Sequence, residues 1–172
     1  QSVAGKLTAL PSLVSALVIL VGSGLSQLLT KSGTSSRVAR GIFTGLCSVI
    51  GGIALVVSTH IPDVAVRITL MIAGATLPSI AYTLVPMIMA EITPTSQRGA
   101  VLAIGSAVGT SAGILAPYVM GSVVQSAATM TAGYNLGYTI CGVATIIGGL
   151  IGLVFLQPEA QRAHYARLAA AT

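Results

Sequence analysis

RGAVLAIGSAVGTSAGILAPYVMGSVVQ, residues 98–125, is the stretch on which the fold turns. From Gly99 to Gln125 it holds no charged residue. In a helix rising ~1.5 Å per residue, about 20 apolar residues cross the ~30 Å hydrocarbon of a bilayer. Gly105, Gly109, Gly113, Pro117 and Gly121 recur at every fourth position, a spacing that makes one ridge of an α-helix, drifting slowly round its axis. In water each such glycine would weaken the helix by roughly 1 kcal/mol. In lipid a row of missing side chains lets a second helix come close. Two readings of the ridge stay open: a packing surface, which is the plainer one, or the sliding surface of a helix that moves.

The same chemistry extends through the chain. Only 6% of the 172 residues are charged, against ~25% in soluble domains, so the sequence reads as an integral membrane protein. Nothing alternates with period two, which argues against a β-barrel. The net charge is +5, but its basic residues are scattered and no aromatic interleaves them, so no nucleic-acid partner is expected. Cys47 and Cys141 fall inside apolar runs and read as small buried hydrophobes, not as a disulfide framework. A start at Gln1 with no cleavable leader points to a fragment of a longer chain.

Taken in order, residues 1–7 form a lead-in and residues 8–30 the first span, with Pro11 in its opening turn. A basic loop (30–40) leads to the second span, 41–59. The third is 64–90. A loop, EITPTSQR, precedes the opening stretch as span four (99–125). Span five is 134–156, after an uncharged loop at 126–133, and 158–172 is a tail expected as a short surface helix. The expected fold is therefore all-α, with five transmembrane helices. Short loops rich in Lys and Arg stay cytoplasmic. Lys31, Arg37, Arg40, Arg98, Arg162 and Arg167 lie on one side of this arrangement, and Lys6 and Arg67 on the other. The N-terminus is expected outside the cell (inner) membrane and the C-terminus in the cytoplasm.

Chemistry is sparse. No ionisable side chain sits in the middle of a span, where proton relays and ion paths normally show themselves. Three acids and two histidines make no paired carboxylates, no metal set and no activated nucleophile, so neither an enzyme, a metal nor a cofactor is expected. Span three is the unusual one. Pro78 and Pro86 free the carbonyls of Gly74 and Tyr82, with Ser79, Tyr82 and Thr83 between the two prolines. Such a helix either bends to line a polar cavity or carries ordinary kinks whose hydroxyls bond back to their own helix. Ser106, Thr110 and Ser111 on span four raise the same alternative; Ser106 and Thr110, four apart, share a face. Asn135, near the outer surface, reads as a turn anchor. Glu91 pairs with Arg98, Arg37 or Arg40 as a latch of the cytoplasmic ends, or all four are separately solvated. The second is the plainer reading, because exposed pairs contribute only ~0–1 kcal/mol.

Several segments resemble a known family. EITPTSQRGAVLAI (91–104), GTSAGILAPYVMG (109–121), GYNLGYTICG (133–142) and FLQPE (155–159), preceded by ALPSLVSAL (9–17) and GSGLSQLLTKSGTSSRVAR (22–40), resemble the end of a major facilitator superfamily transporter. The nearest look is to its anion:cation symporters, carriers of organic acids. The resemblance runs from about Gly5 to Glu159. It implies that residues 1–157 are a partial C-terminal six-helix lobe holding helices eight to twelve of a twelve-helix carrier, with the N-terminal lobe as the missing partner.

By the resemblance, the tenth helix lines a central cavity with Ser79, Tyr82 and Thr83, and Thr83 and Ser106 match positions that contact substrate. Relatives often carry an aromatic residue where Pro86 stands and an amide where Ser106 stands. Gln27 replaces the usual acid of the loop motif, so that motif's Asp–Arg interaction cannot form, although Arg37, Arg40 and Glu91 remain. The implied function is secondary transport of a small organic anion driven by protons, by rocking one lobe against the other across the bilayer. On this reading Thr83 and Ser106 bind substrate, assisted by Ser79, Tyr82 and Thr110, and the glycine ridge packs on the other lobe. The alternative is a non-transporting scaffold acting through helix association.

Overall fold

The computed structural model describes residues 2–156 and 158–159, with side chains from Pro11 onward. The described residues are helical and contain no strand. Five helices are long and apolar enough to cross a membrane. The first is α1, Ser2–Lys31. It extends through the expected lead-in, so Pro11 stands well inside the helix and not in its first turn. After a left-handed turn at Gly33 (φ 88°), a wide π-helical turn, Arg37–Ile42, runs straight into α2, Phe43–Ser58. In that turn the Phe43 N–H reaches the Val38 carbonyl, five residues back.

The third span is broken. α3 (Val64–Thr76) and α4 (Ala81–Ile92) are joined by a 3₁₀ turn at Leu77–Ile80. Pro78 sits in the first turn of that segment, where its missing N–H forces the tighter winding. Pro86, expected to kink the span as well, lies inside an α4 that continues through it. α5 is Arg98–Ser126 and α6 is Met130–Phe155, with three residues between them. The expected eight-residue loop there is thus mostly helix. The expected tail helix lies outside the described residues except for Pro158 and Glu159, and the side chain of Lys6 and the residues Arg162 and Arg167 lie outside them as well.

α2 is the hub. Its largest interface is with α6, the next with α3. Glycines make both approaches possible. A Cβ placed on Gly45 would lie 2.6 Å from Leu153 Cγ and 3.1 Å from the Gly149 carbonyl. One on Gly52 would lie 2.6 Å from the Gly142 carbonyl. Gly45 and Gly52 are seven apart, as are Gly142 and Gly149, so two matching rows meet antiparallel. Gly51 faces Pro78 and Gly74 in the same way on the α3 side. With no side chain between them, backbones pack at a distance that dispersion rewards in lipid. Ile80, the last residue of the 3₁₀ turn, and Leu84 and Ile88 of α4, four apart on one stripe, are buried in this core.

α5 is the outlier. None of its residues is buried. It packs on α6 and α4: near one end Gly105 faces Met89 of α4, and further along Met120 and Val124 lie against Gly137 and Gly133 of α6. Beyond Gly105 its glycine ridge is uncovered among the described residues, because a Cβ on Gly109, Gly113 or Gly121 would meet nothing within 4 Å. Pro117 is also exposed. The close-packed glycines are on α2 and α6 instead. Cys47 is partly buried and Cys141 is exposed, both as free thiols, so the expectation of burial fails for Cys141.

Candidate functional site

Two open grooves share one wall. The larger, ≈ 670 Å³, runs between α4 and α5. Tyr82, Val85, Pro86 and Met89 line it from α4, and Leu102, Ser106 and Thr110 from α5. On α4 these positions follow i, i+3, i+4, i+7, one face of a helix. The smaller, ≈ 400 Å³, lies among α2, α6 and the 3₁₀ turn, lined by Thr44, Ser48, Ser79 and Thr145. Tyr82 and Val85 line both grooves, so Tyr82, 80% exposed, stands as the rib between them. The site contains hydroxyls and no charge.

The hydroxyls are not equivalent. Ser79 is buried and its Oγ–H donates to the Thr76 carbonyl at 2.5 Å. Its hydroxyl is therefore occupied by its own helix, the outcome expected of a kink. Ser111 does the same to Val108 at 2.7 Å. Ser106 and Thr110 are exposed, and neither side chain makes a hydrogen bond among the described residues. Both hold their hydroxyls in reserve toward the groove. Thr83 is not among the residues of either groove. At about 100° per residue it points roughly a third of a turn away from the centre of the Tyr82–Val85–Met89 face. The structure thus brings Tyr82, Ser106 and Thr110 together and leaves Thr83 and Ser79 out of that set. Thr44 Oγ1 and Ser26 Oγ are buried with no partner among the described residues.

Charge gathers at the ends of the bundle. At the end where α1 stops, the Arg40 guanidinium donates to Glu91 Oε2 at 2.6 Å. Ser36 Oγ–H donates to the same oxygen at 2.7 Å, and the Ser36 N–H donates to Glu159 Oε1 at 2.9 Å. Arg40 and Glu91 are 21% and 15% exposed. The plainer expectation of separately solvated charges is therefore replaced by a partly buried cluster that ties the π-helical turn to the end of α4 and to the chain after α6. Arg37 is exposed and takes no part in this ion pair. Arg98 reaches the Thr93 carbonyl at 3.5 Å, not Glu91. The sequence offered three basic candidates for Glu91, and the fold brings Arg40, from the π-helical turn, into the ion pair.

At the opposite end Asp63 caps α3, its Oδ1 accepting the Val66 N–H at 2.9 Å. Arg67 donates to Asn135 Oδ1, joining α3 to α6. Asn135 is thus an interhelical acceptor and not merely a turn anchor. Among the described residues, no group of three or more His, Cys, Asp or Glu lies close enough to hold a metal ion. No family model, curated protein or solved structure matches the chain.

Proposed function

We propose that this chain is the C-terminal part of a secondary transporter of the major facilitator type, helices eight to twelve, carrying a small organic anion with protons. The observation that supports it best is the uncharged groove between α4 and α5. There Tyr82, Ser106 and Thr110 present hydroxyl-bearing side chains to a groove left open among the described residues. Hydroxyl donors bind a carboxylate without fixing it permanently, and the balancing cation then belongs to the facing lobe. The open row of Gly109, Gly113 and Gly121 gives that lobe a smooth surface on which to rock. The Arg40–Glu91–Ser36 cluster sits at the end assigned to the cytoplasm by its six basic residues.

Uptake of labelled small carboxylates into proteoliposomes holding the full-length protein, with and without an imposed pH gradient, tests the reading. Ser106→Ala and Thr110→Val each raise KM, about tenfold when a hydrogen bond to a charged group is lost, while Thr110→Ser keeps it. Unchanged KM in both variants refutes the site, and absence of any gradient-dependent carboxylate uptake refutes the function. The scaffold reading draws on α5, none of whose residues is buried. It predicts that Ser106→Ala and Thr83→Val leave every activity of the chain intact.

A further inference from the structure

A third groove, ≈ 300 Å³, lies away from the hydroxyl-bearing face. Pro11 of α1, Leu55 of α2, Ile68, Met71, Ile72 and Ala75 of α3 and Tyr138 of α6 line it. Its walls are apolar apart from the tyrosine. Arg67 stands at its outer end: Met71 is one turn further along α3, just as Tyr138 is one turn beyond Asn135 on α6. Arg67 is half-buried and holds Asn135 through one N–H. It has no acidic partner among the described residues, since Asp63, four residues earlier, is engaged with the Val66 N–H and makes no ion pair with it. Most of the guanidinium fork is left for another acceptor. The Tyr138 hydroxyl likewise has no partner among the described residues.

We infer that this groove holds one acyl chain of an anionic phospholipid, with the lipid phosphate on Arg67. The dimensions agree. From Arg67 to Ala75 α3 rises about 12 Å, close to the ~15 Å hydrocarbon depth of one leaflet. The charge sits at the headgroup level and the apolar trough begins directly beneath it. A guanidinium pairs with a phosphate by parallel N–H···O bonds, and Tyr138 lies where an aromatic ring with a polar tip belongs, at the interface. A zwitterionic lipid carries its own cation beside the phosphate and gains less from Arg67. The site is thus selective by headgroup and merely permissive toward the chain. It is independent of any transport activity, because it needs only the bilayer and these four helices.

The test is native mass spectrometry of the full-length protein in detergent, offered dioleoyl phosphatidylglycerol and dioleoyl phosphatidylcholine, which share chains and differ in charge. Wild type is expected to retain the anionic lipid about fivefold over the zwitterionic one, the effect of one basic side chain near a membrane surface. Arg67→Gln brings the ratio to one, and Arg67→Lys preserves it. Equal retention by wild type, or an undiminished ratio in Arg67→Gln, overturns the proposal. Binding of glycerol phosphate as tight as that of the intact lipid also overturns it, since the groove would then contribute nothing. Should Arg67→Gln not fold, wild type still decides. A phosphatidylglycerol bearing a photoreactive group on its chain is expected to label the segments around Met71 and Tyr138. Labelling spread over all exposed helix faces sinks the idea.

Discussion

Gly52→Ala and Gly109→Ala are one chemical change made in two places, and their outcomes should diverge. At position 52 the new methyl lies 2.6 Å from the Gly142 carbonyl oxygen, 2.7 Å from Ile146 Cγ1 and 3.0 Å from the Ile146 nitrogen. Ordinary contact begins at 3.4 Å, so α2 and α6 must part by about 0.8 Å, and two of the three obstacles are backbone that cannot swing aside. Overpacking of this kind costs typically ~1–3 kcal/mol. At position 109 the methyl meets nothing within 4 Å. Both variants gain the same helix propensity, up to ~1 kcal/mol, so that contribution cancels between them. What remains is the overpacking cost alone, and at about 2–4 °C per kcal/mol for a chain of this size it separates the two midpoints by several degrees. Thermal unfolding of the two variants side by side in one detergent measures it. Equal midpoints, or a lower one for Gly109→Ala, would refute the assignment of α2–α6 as the close-packed pair and of the α5 row as open.

Bulk on the open row separates stability from activity. Gly109→Leu or Gly113→Leu does not lower the unfolding midpoint of the lobe, yet abolishes the carboxylate uptake proposed for the full-length protein; normal uptake removes the row from the mechanism. Arg40→Gln leaves Glu91 short of its guanidinium in a partly buried site and lowers stability by about 1–3 kcal/mol, whereas Arg37→Gln, at an exposed position, changes the midpoint by less than about 0.5 kcal/mol. Asn135→Leu takes the acceptor from Arg67 and costs about 1 kcal/mol, read in the same unfolding assay. Single cysteines at Ser32 and Thr95 should resist an impermeant thiol reagent applied to intact cells, and one at Ala128 should react. The opposite pattern inverts the orientation.

The spans were legible because their cause is one-dimensional. A bilayer demands a length of uncharged residues, and Lys31, Arg37, Arg67 and Arg98 mark where each length ends. The break at Pro78 was legible for a similar reason, since a missing donor acts on its own helix. Partner choice was not. The α5 glycines advertise a ridge at every fourth position, yet what a ridge touches depends on where a second helix stands, and three of those glycines touch nothing here. The true contact rows were written more faintly, as a seven-residue interval repeated on two helices, Gly45 to Gly52 and Gly142 to Gly149. Comparing intervals between spans, and not only within one, would have found them. Thr83 enters the candidate site through the resemblance, as a match to a substrate-contacting position, but it is about 100° round the helix from Tyr82, and of the two only Tyr82 lines the groove. The choice of Arg40 over Arg37 for Glu91 falls within the π-helical turn, whose extra residue leaves no compositional trace.

That turn has a consequence for how the gene tolerates change. A π-helical turn holds one residue more than an α-turn. Loss of a single codon between Arg37 and Ile42 would let the turn close as an ordinary α-turn, with Gly45 and Gly52 still aimed at the bare backbone of α6. The same loss inside α2 would carry everything beyond it about 100° round the axis, swing Gly52 out toward lipid and thrust a side chain at α6. An in-frame deletion is thus slack in the turn and, a few codons later, a register error transmitted to every layer of the bundle.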